Sequence, residues 1–290
     1  MKKPLVSVIV PTCNNAHYIE KCIQSIINQS FNNFELIIVD DCSKDDTLGI
    51  LKKIKDKNLN VLKTDKNSGP AVARNIGVKN SRGEYIFFID GDCIASKNWI
   101  KEGLKGFKEK GCLGVEGKIY YVSKNYRPTA IDDIGQNLIG GQYMTGNIAY
   151  KKEILVKIGG FDPKLKRMED RDLGLMILRK GNIIFNPKMI VFHQKFPLKF
   201  KKKINLFGEV AKAKVHLFKK YNDTSEIFFR VYRPLNLISL FFPPAILGAL
   251  LTHKYQSLSD FKTLLYIYPA IFYERLSLWK EDLKEGVFLI

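Results

Sequence analysis

The stretch LVSVIVPTCNNAHYIEKCIQSIINQSFNNFELIIVDD, residues 5–41, decides the fold. LVSVIV (5–10) is an apolar, largely β-branched run that Pro11 ends. Tyr18, Ile19, Cys22, Ile23, Ile26 and Ile27 follow at intervals of one and three, the stripe of a helix that buries one face. ELIIVDD (35–41) is a second buried strand that runs into two carboxylates.

The pattern then repeats. Ser43 with Asp45 and Asp46 reads as a helix start, leading to Leu48, Leu51 and Ile54 on one face. LNVLKT (59–64) supplies a third strand, NSGPAVARNIGVKNSRG (67–83) a loop and helix, and EYIFFIDGD (84–92) a fourth strand. Alternating strands and helices predict an α/β fold with a mostly parallel sheet covered on both faces. Ligands of such sheets bind beyond the carboxyl ends of the strands. The polar residues gather there: Thr12 and Asn14 after the first strand, Asp40 and Asp41 after the second, Asp65 after the third, Asp90 and Asp92 after the fourth. Turn and capping duty is the alternative for such residues taken singly. A dinucleotide-binding Rossmann fold needs closely spaced glycines after the first strand, where this chain has PTCNN.

FFIDGDC (87–93) drives an apolar strand into two carboxylates one residue apart. Like charges this close are costly to bury unless a cation or bound donors compensate, and a divalent metal is the economical compensation. Oxygen ligands of this kind favour Mg²⁺ or Mn²⁺ held together with substrate phosphates. Further on, TGNIAYKK (145–152) precedes IGGFDPKLKRMEDRDLGLMILRKG (158–181), where Glu169 and Asp170 open a helical pattern. They fit first-turn residues favoured by the helix dipole. With Asp90 and Asp92 upstream, a general base is the better account of one of them. NIIFNPKMIVFHQKF (182–196) reads as a strand or hairpin reaching His193, which suits a third metal ligand, a phosphate donor or a polar edge residue equally.

These segments, in this order over about residues 5–193, resemble the family-2 glycosyltransferases of GT-A fold. The resemblance implies that Pro11, Thr12 and Asn14 line a nucleotide pocket with Asp40, the last near the base. Asp65, Gly69 and Arg74 would close around base and ribose, and Asp90 would meet the ribose or sugar. Asp92 would hold the divalent metal on the diphosphate, with Asp90 and His193 completing the candidate metal set. Asp170, in the Glu169–Asp170 pair, would be the catalytic base, with Gly146 and Asn147 near donor sugar or acceptor. The implied reaction is inverting transfer of one sugar from a nucleotide sugar, UDP-linked by preference and GDP-linked as the second choice. A Gln-x-x-Arg-Trp motif, which processive polysaccharide synthases of the family carry, is missing from the sequence, so transfer of a single sugar is expected. A nucleotidyltransferase would want a glycine-rich, basic loop after the first strand. A non-catalytic nucleotide-sugar-binding subunit would be expected to lose Asp90, Asp92 or Asp170.

Composition bounds the rest. A chain of 290 residues, 46% hydrophobic, has material for a large core. Its five cysteines lack paired spacing and a histidine cluster, so free thiols in a reducing compartment are expected. The apolar run after MKKP is too short for a signal peptide, which points to the cytoplasm. The net charge of +18 is concentrated: residues 195–220 hold nine lysines against Glu209 alone. Directly beyond lies PLNLISLFFPPAILGALL (234–251), uncharged and broken by Pro243-Pro244, and then TLLYIYPAIFY (263–273). Lysines beside apolar and aromatic runs suit the cytoplasmic face of an anionic membrane better than nucleic acid, for which no recognition motif is present. A membrane-associated hairpin or in-plane helix pair is favoured over a true span or a soluble helical subdomain. A catalytic domain over 1–200 and a basic, amphipathic and apolar helical region over 201–290 are expected, the latter beside a glycan or lipid-linked acceptor.

Overall fold

In the computed structural model, β1 (Val6–Thr12) is buried along its whole length. That is why LVSVIV has no polar face. Val6, Val8 and Val10 pack on one side with Ile19, Cys22, Ile23 and Ile26 of α1 (Ile19–Ile27), whereas Ile9 packs on the other with Ala71 and Val78. Successive strand side chains point to opposite faces, so a strand covered by helices on both must be apolar throughout. β2 (Phe34–Asp40) is buried in the same way. α2 (Thr47–Lys53), β3 (Leu59–Lys63), α3 (Pro70–Asn80) and β4 (Tyr85–Phe88) complete the parallel half, with β3 at the sheet edge and largely exposed.

The second half departs from the expected rhythm. β5 (Cys93–Ala95), α4 (Trp99–Gly106), β6 (Cys112–Val122), β7 (Ile148–Lys151), α5 (Lys152–Lys157), α6 (Glu169–Leu178) and β8 (Asn182–Gln194) follow. The sheet order is β3-β2-β1-β4-β7-β6-β8-β5. Pairs β1–β2, β1–β4, β2–β3 and β6–β8 are parallel; β4–β7, β6–β7 and β5–β8 are antiparallel. The sheet is therefore mixed, and its parallel character is strongest where helices alternate with strands. β8 is one long strand rather than a hairpin: its register against β6 slips beside Pro187, between Gly117↔Asn186 and Lys118↔Ile190. Proline cannot donate to a ladder and is accommodated at such an irregularity.

The structure describes residues 3–122, 137–194 and 200–221, together with positions 273, 276, 277, 280, 281, 283 and 284. Two compact units divide the chain. The first, Met1–Tyr126 with Gly135–Lys195, contains the sheet. The second, Arg127–Ile134 with Phe196–Ile290, contains α7 (Phe200–Tyr221), in which Ala211 and Val215 are buried while Lys212, Lys219 and Lys220 are exposed. Among the described residues no helix is long and apolar enough to cross a membrane. The uncharged run 234–251 and, apart from Tyr273, the tyrosine-rich run 263–273 lie outside the described residues. The described cysteines, Cys13, Cys22, Cys42, Cys93 and Cys112, are free thiols.

Trp99 joins the core to the carboxyl rim. It is fully buried, its ring meets Phe87 edge-on at 5.2 Å, and its indole N–H donates to Asn147 Oδ1 at 2.7 Å. Trp99→Ala is expected to cost about 3–5 kcal/mol, the usual range for deleting a buried aromatic side chain. Urea unfolding followed by circular dichroism reads this directly; an unchanged midpoint would remove Trp99 from the core assignment.

Candidate active site

The carboxyl ends of β1, β2 and β4 form one rim, and α3 brings a guanidinium to it. Arg74 is only 4% exposed. Its Nη2 donates to Asp90 Oδ1 at 2.9 Å and its Nη1 to Glu169 Oε1 at 2.7 Å, with the Phe161 ring 5.6 Å from the guanidinium carbon. Burial alone would lower the Arg74 pKa, but Asp90, Glu169 and Asp170 more than offset it, and the group is held more firmly charged than usual. Arg74 thus ties the end of β4 to the start of α6.

Asp170 lies in the first turn of α6. Its Oδ1 accepts the Arg171 amide at 2.8 Å, and its Oδ2 faces the Thr145 amide at 3.4 Å. Protein atoms crowd the carboxyl although part of the residue reaches solvent. Desolvation, reinforced by the neighbouring Glu169 charge and opposed by Arg74, pushes its pKa up to about 7. A carboxylate with that affinity can take a proton near neutrality. The next residue after Thr145 is Gly146, where a Cβ would stand 3.4 Å from Asp90 Oδ2. One dipeptide therefore borders both Asp170 and Asp90.

The antiparallel ladder of β5 with β8 sets Cys93 opposite His193, and Gln194 N–H donates to the Asp92 carbonyl at 3.0 Å. This pairing brings His193 Nε2 to 3.5 Å from Asp92 Oδ1, and donor atoms of Asp92, Cys93 and His193 all lie within 4.8 Å of one another. His193 Nδ1 is buried and has no hydrogen-bond partner. Burial pushes the Asp92 carboxyl up, His193 pulls it down and Asp90 adds to the rise. Burial drives the Cys93 thiol far above its ordinary range, so it stays protonated. Carboxylate oxygen and imidazole nitrogen are donors that Mn²⁺ or Mg²⁺ accepts, and it is Nε2, not the unpartnered Nδ1, that faces Asp92. The residues fit a divalent ion held by Asp92 and His193.

On the nucleotide side, Thr12 Oγ1 and Asp40 Oδ1 are buried with no hydrogen-bond partner among the described residues, at adjacent strand ends in register. Buried polar atoms are normally satisfied, so an unpaired set at a rim invites a ligand. Pro11 is buried within β1, in register with Val39 of β2. Asn14, with positive φ of 54°, accepts the Lys44 amide at 2.7 Å on its side chain and donates its own amide to Ser43 Oγ at 2.8 Å, which clamps the loop after β2. Asp65 is exposed beyond β3. Gly69 caps α3 with φ of 90°, a conformation that favours glycine. Asn147 spends its amide internally: Oδ1 on Trp99, and Nδ2 on the carbonyls of Lys118 at 2.7 Å and Met189 at 2.8 Å. It fixes the turn that carries Gly146.

The model of glycosyl transferase family 2 matches residues 7–163, more than half of the 290-residue chain. The chain belongs to glycosyl transferase family 2. An uncharacterized glycosyltransferase of Haemophilus influenzae is 30% identical over 199 residues, covering 64% of this chain and 65% of that protein. Poly(ribitol-phosphate) beta-N-acetylglucosaminyltransferase TarS of Staphylococcus aureus is 42% identical over 100 residues, covering 33% of this chain and 18% of TarS. The family-2 chain thus spans less than two thirds of either relative. Among solved structures, mannosyltransferase PcManGT of Pyrobaculum calidifontis, in complex with GDP-Man and Mn²⁺, shares the fold at a TM-score of 0.66 and 20% identity over 98% of this chain and 88% of that one. The family match ends at residue 163, before Glu169, Asp170 and His193.

Two further carboxylates organise the family-2 site: Asp41, which the sequence places at the rim without a role, and Glu116. Asp41 accepts Thr64 Oγ1 at 2.8 Å, the Ser68 amide at 2.9 Å and the Gly69 amide at 2.7 Å, tying the loop before α3 to the end of β2. Glu116, 1% exposed, accepts the amides of Gly141 at 2.7 Å and Gln142 at 2.9 Å and a short bond from Tyr143. Asp41 was visible as half of the Asp40–Asp41 pair; Glu116 had no sequence signal, since its partners are backbone amides 25–27 residues away. Asp41→Ala leaves those loop amides without their acceptor, and about 1–3 kcal/mol of stability should be lost. Hydrogen exchange is the check: the Ser68 and Gly69 amides should exchange faster while those of β1 stay protected, and unchanged loop protection would refute the tie.

Proposed function

We propose that this chain transfers a single sugar, with inversion, from a nucleoside-diphosphate sugar to an acceptor hydroxyl. The observation that carries the reading is the pairing of a proton-accepting carboxyl, Asp170, with the carboxylate rim at Asp90 and Asp92, joined through Arg74 and the Thr145–Gly146 edge.

The roles divide by charge. Asp170, deprotonated, takes the proton of the acceptor hydroxyl as that oxygen attacks the anomeric carbon. Held by Asp92 and His193, a divalent ion would neutralise the diphosphate leaving group. Thr12 and Asp40 present their unpaired oxygens to the nucleotide, and Asp90 keeps Oδ2 toward Gly146 for the ribose or sugar. Gly146 leaves the room a side chain would take beside Asp90. UDP sugars are the favoured donors and GDP sugars the second choice; solved complexes of relatives hold UDP-GlcNAc in TarS and GDP-Man with Mn²⁺ in PcManGT. A glycan or lipid-linked acceptor at the cytoplasmic face of an anionic membrane is consistent with the lysines of 195–220, and TarS by its name acts on a poly(ribitol phosphate).

A nucleotide-sugar panel with Mn²⁺, Mg²⁺ or EDTA tests this. Turnover of one donor should vanish with EDTA and in Asp92→Ala. Asp170→Asn should lose transfer by at least about a thousandfold yet bind donor normally, as expected when a group acts only in the transition state. Because Asp170 must be unprotonated, kcat/KM should rise with pH through about 7. A folded wild type that binds donor without turnover, given metal and membrane extract, would make the chain a binding subunit instead.

A further inference from the structure

We propose that Arg74 is a positioning residue for the base, holding the first turn of α6 so that Asp170 faces the Thr145–Gly146 edge, and that it does not itself contact the nucleotide. The inference rests on the reading of Asp170 as the base.

The geometry carries it. Both terminal nitrogens of Arg74 are committed to carboxylates and the residue is almost wholly buried; its Nε is buried as well and has no partner among the described residues. The segment it restrains is the start of α6. α6 begins after Met168 in the left-handed region, φ 60°, with no side-chain cap and with Glu169, Asp170 and Asp172 crowded into the first turn. The helix dipole favours acids there but does not fix their direction. Glu169, 6% exposed, is the one of these anchored to Arg74.

The neighbouring residue of α3 does the complementary work. Asn75 Nδ2 donates to the Phe161 carbonyl at 2.8 Å, and its Oδ1 accepts the Phe161 amide at 2.9 Å. A Cβ on Gly160 would stand 2.5 Å from Asn75 Oδ1, and Gly160 has φ of 76°. Two consecutive α3 residues therefore clamp both ends of the 161–169 loop, and Phe161 lies against the Arg74 guanidinium besides. The arginine fork also meets Asp90, so placement of the base is linked to the donor side of the rim. Lysine could not reproduce this, since its point charge lacks the planar fork that spans two carboxylates.

The charged and titratable groups facing Asp170 are Arg74 from α3, Glu169 from α6 and Tyr150 from β7; Arg171 meets it through its backbone amide. Arg74 favours the ionised form of Asp170 and Glu169 opposes it. Removing the cation should therefore raise the pH at which Asp170 ionises, and removing the Glu169 charge should lower it.

The test is a double-mutant cycle with Arg74→Gln, Glu169→Gln and the pair, plus Arg74→Lys, each checked for folding by circular dichroism. Arg74→Gln and Arg74→Lys should lower kcat about a hundredfold, the scale of a displaced catalytic group, with donor KM within about twofold of wild type. The acid limb of kcat/KM should move to higher pH in Arg74→Gln, to lower pH in Glu169→Gln, and back toward wild type in the double variant. A raised donor KM with kcat and acid limb in place would overturn the proposal and make Arg74 a nucleotide ligand. Titration of ¹³C-labelled Asp170 carboxyl by NMR separates this from the functional reading. If the wild type turns over no donor but the Asp170 titration still shifts in Arg74→Gln, sugar transfer fails and the positioning stands. A titration unmoved by Arg74→Gln overturns the positioning. Should Arg74→Gln not fold, Arg74→Lys carries the kcat and donor-KM reading and Glu169→Gln carries the acid-limb reading, with its shift to lower pH.

Discussion

A guanidinium buried between two carboxylates is the constraint on which the rest of the site depends. Arg74 gains nothing obvious in stability from its place, because desolvating three charges costs about as much as their attraction returns. What the arrangement provides is registry: the end of β4, the middle of α3 and the first turn of α6 can meet in only one way if all three charges are to be paired. Breaking one member would leave an uncompensated charge inside the protein. The base candidate Asp170 is the residue after Glu169, and burial, reinforced by the Glu169 charge and opposed by Arg74, raises its proton affinity.

The carboxylates of the rim fall into two physical classes. Asp41 and Glu116 are consumed by backbone amides and act as staples for loops 66–69 and 140–143. Asp40, Asp92 and the outer oxygen of Asp90 keep acceptor capacity that no described residue uses in full. Sequence types alone do not separate these classes. Donor chemistry is available only where a buried or half-buried acceptor remains unspent, and that pattern follows the carboxyl ends of β1, β2 and β4.

Much of the first half was legible from periodicity. A strand covered on both faces must be continuously apolar, so β1, β2 and β4 announced themselves, and α1 showed its stripe. In the antiparallel half only β8 was visible. β7 has only four residues, β5 three, and β6 pairs with partners far along the chain, so neither length nor alternation marks them. Residue type placed Asp90, Asp92 and Asp170 at strand and helix ends but could not say what each touches. Arg74, implied by family resemblance to sit at base and ribose, is turned inward by two acids, one of them 95 residues away. Asn147, expected near sugar or acceptor, is saturated by Trp99 and two carbonyls. In both cases the deciding partner is long-range, and a linear string carries no signal for it.

One-step displacement with Asp170 as base makes a stereochemical statement, since the acceptor oxygen must enter opposite the departing diphosphate. The most direct measurement is the anomeric configuration of the first-formed product, from the proton NMR coupling at the anomeric position, taken before mutarotation if water is the acceptor. An α-linked nucleotide sugar should give a β product. An α product would contradict the account, because retention needs a second displacement that a lone base at the start of α6 does not supply.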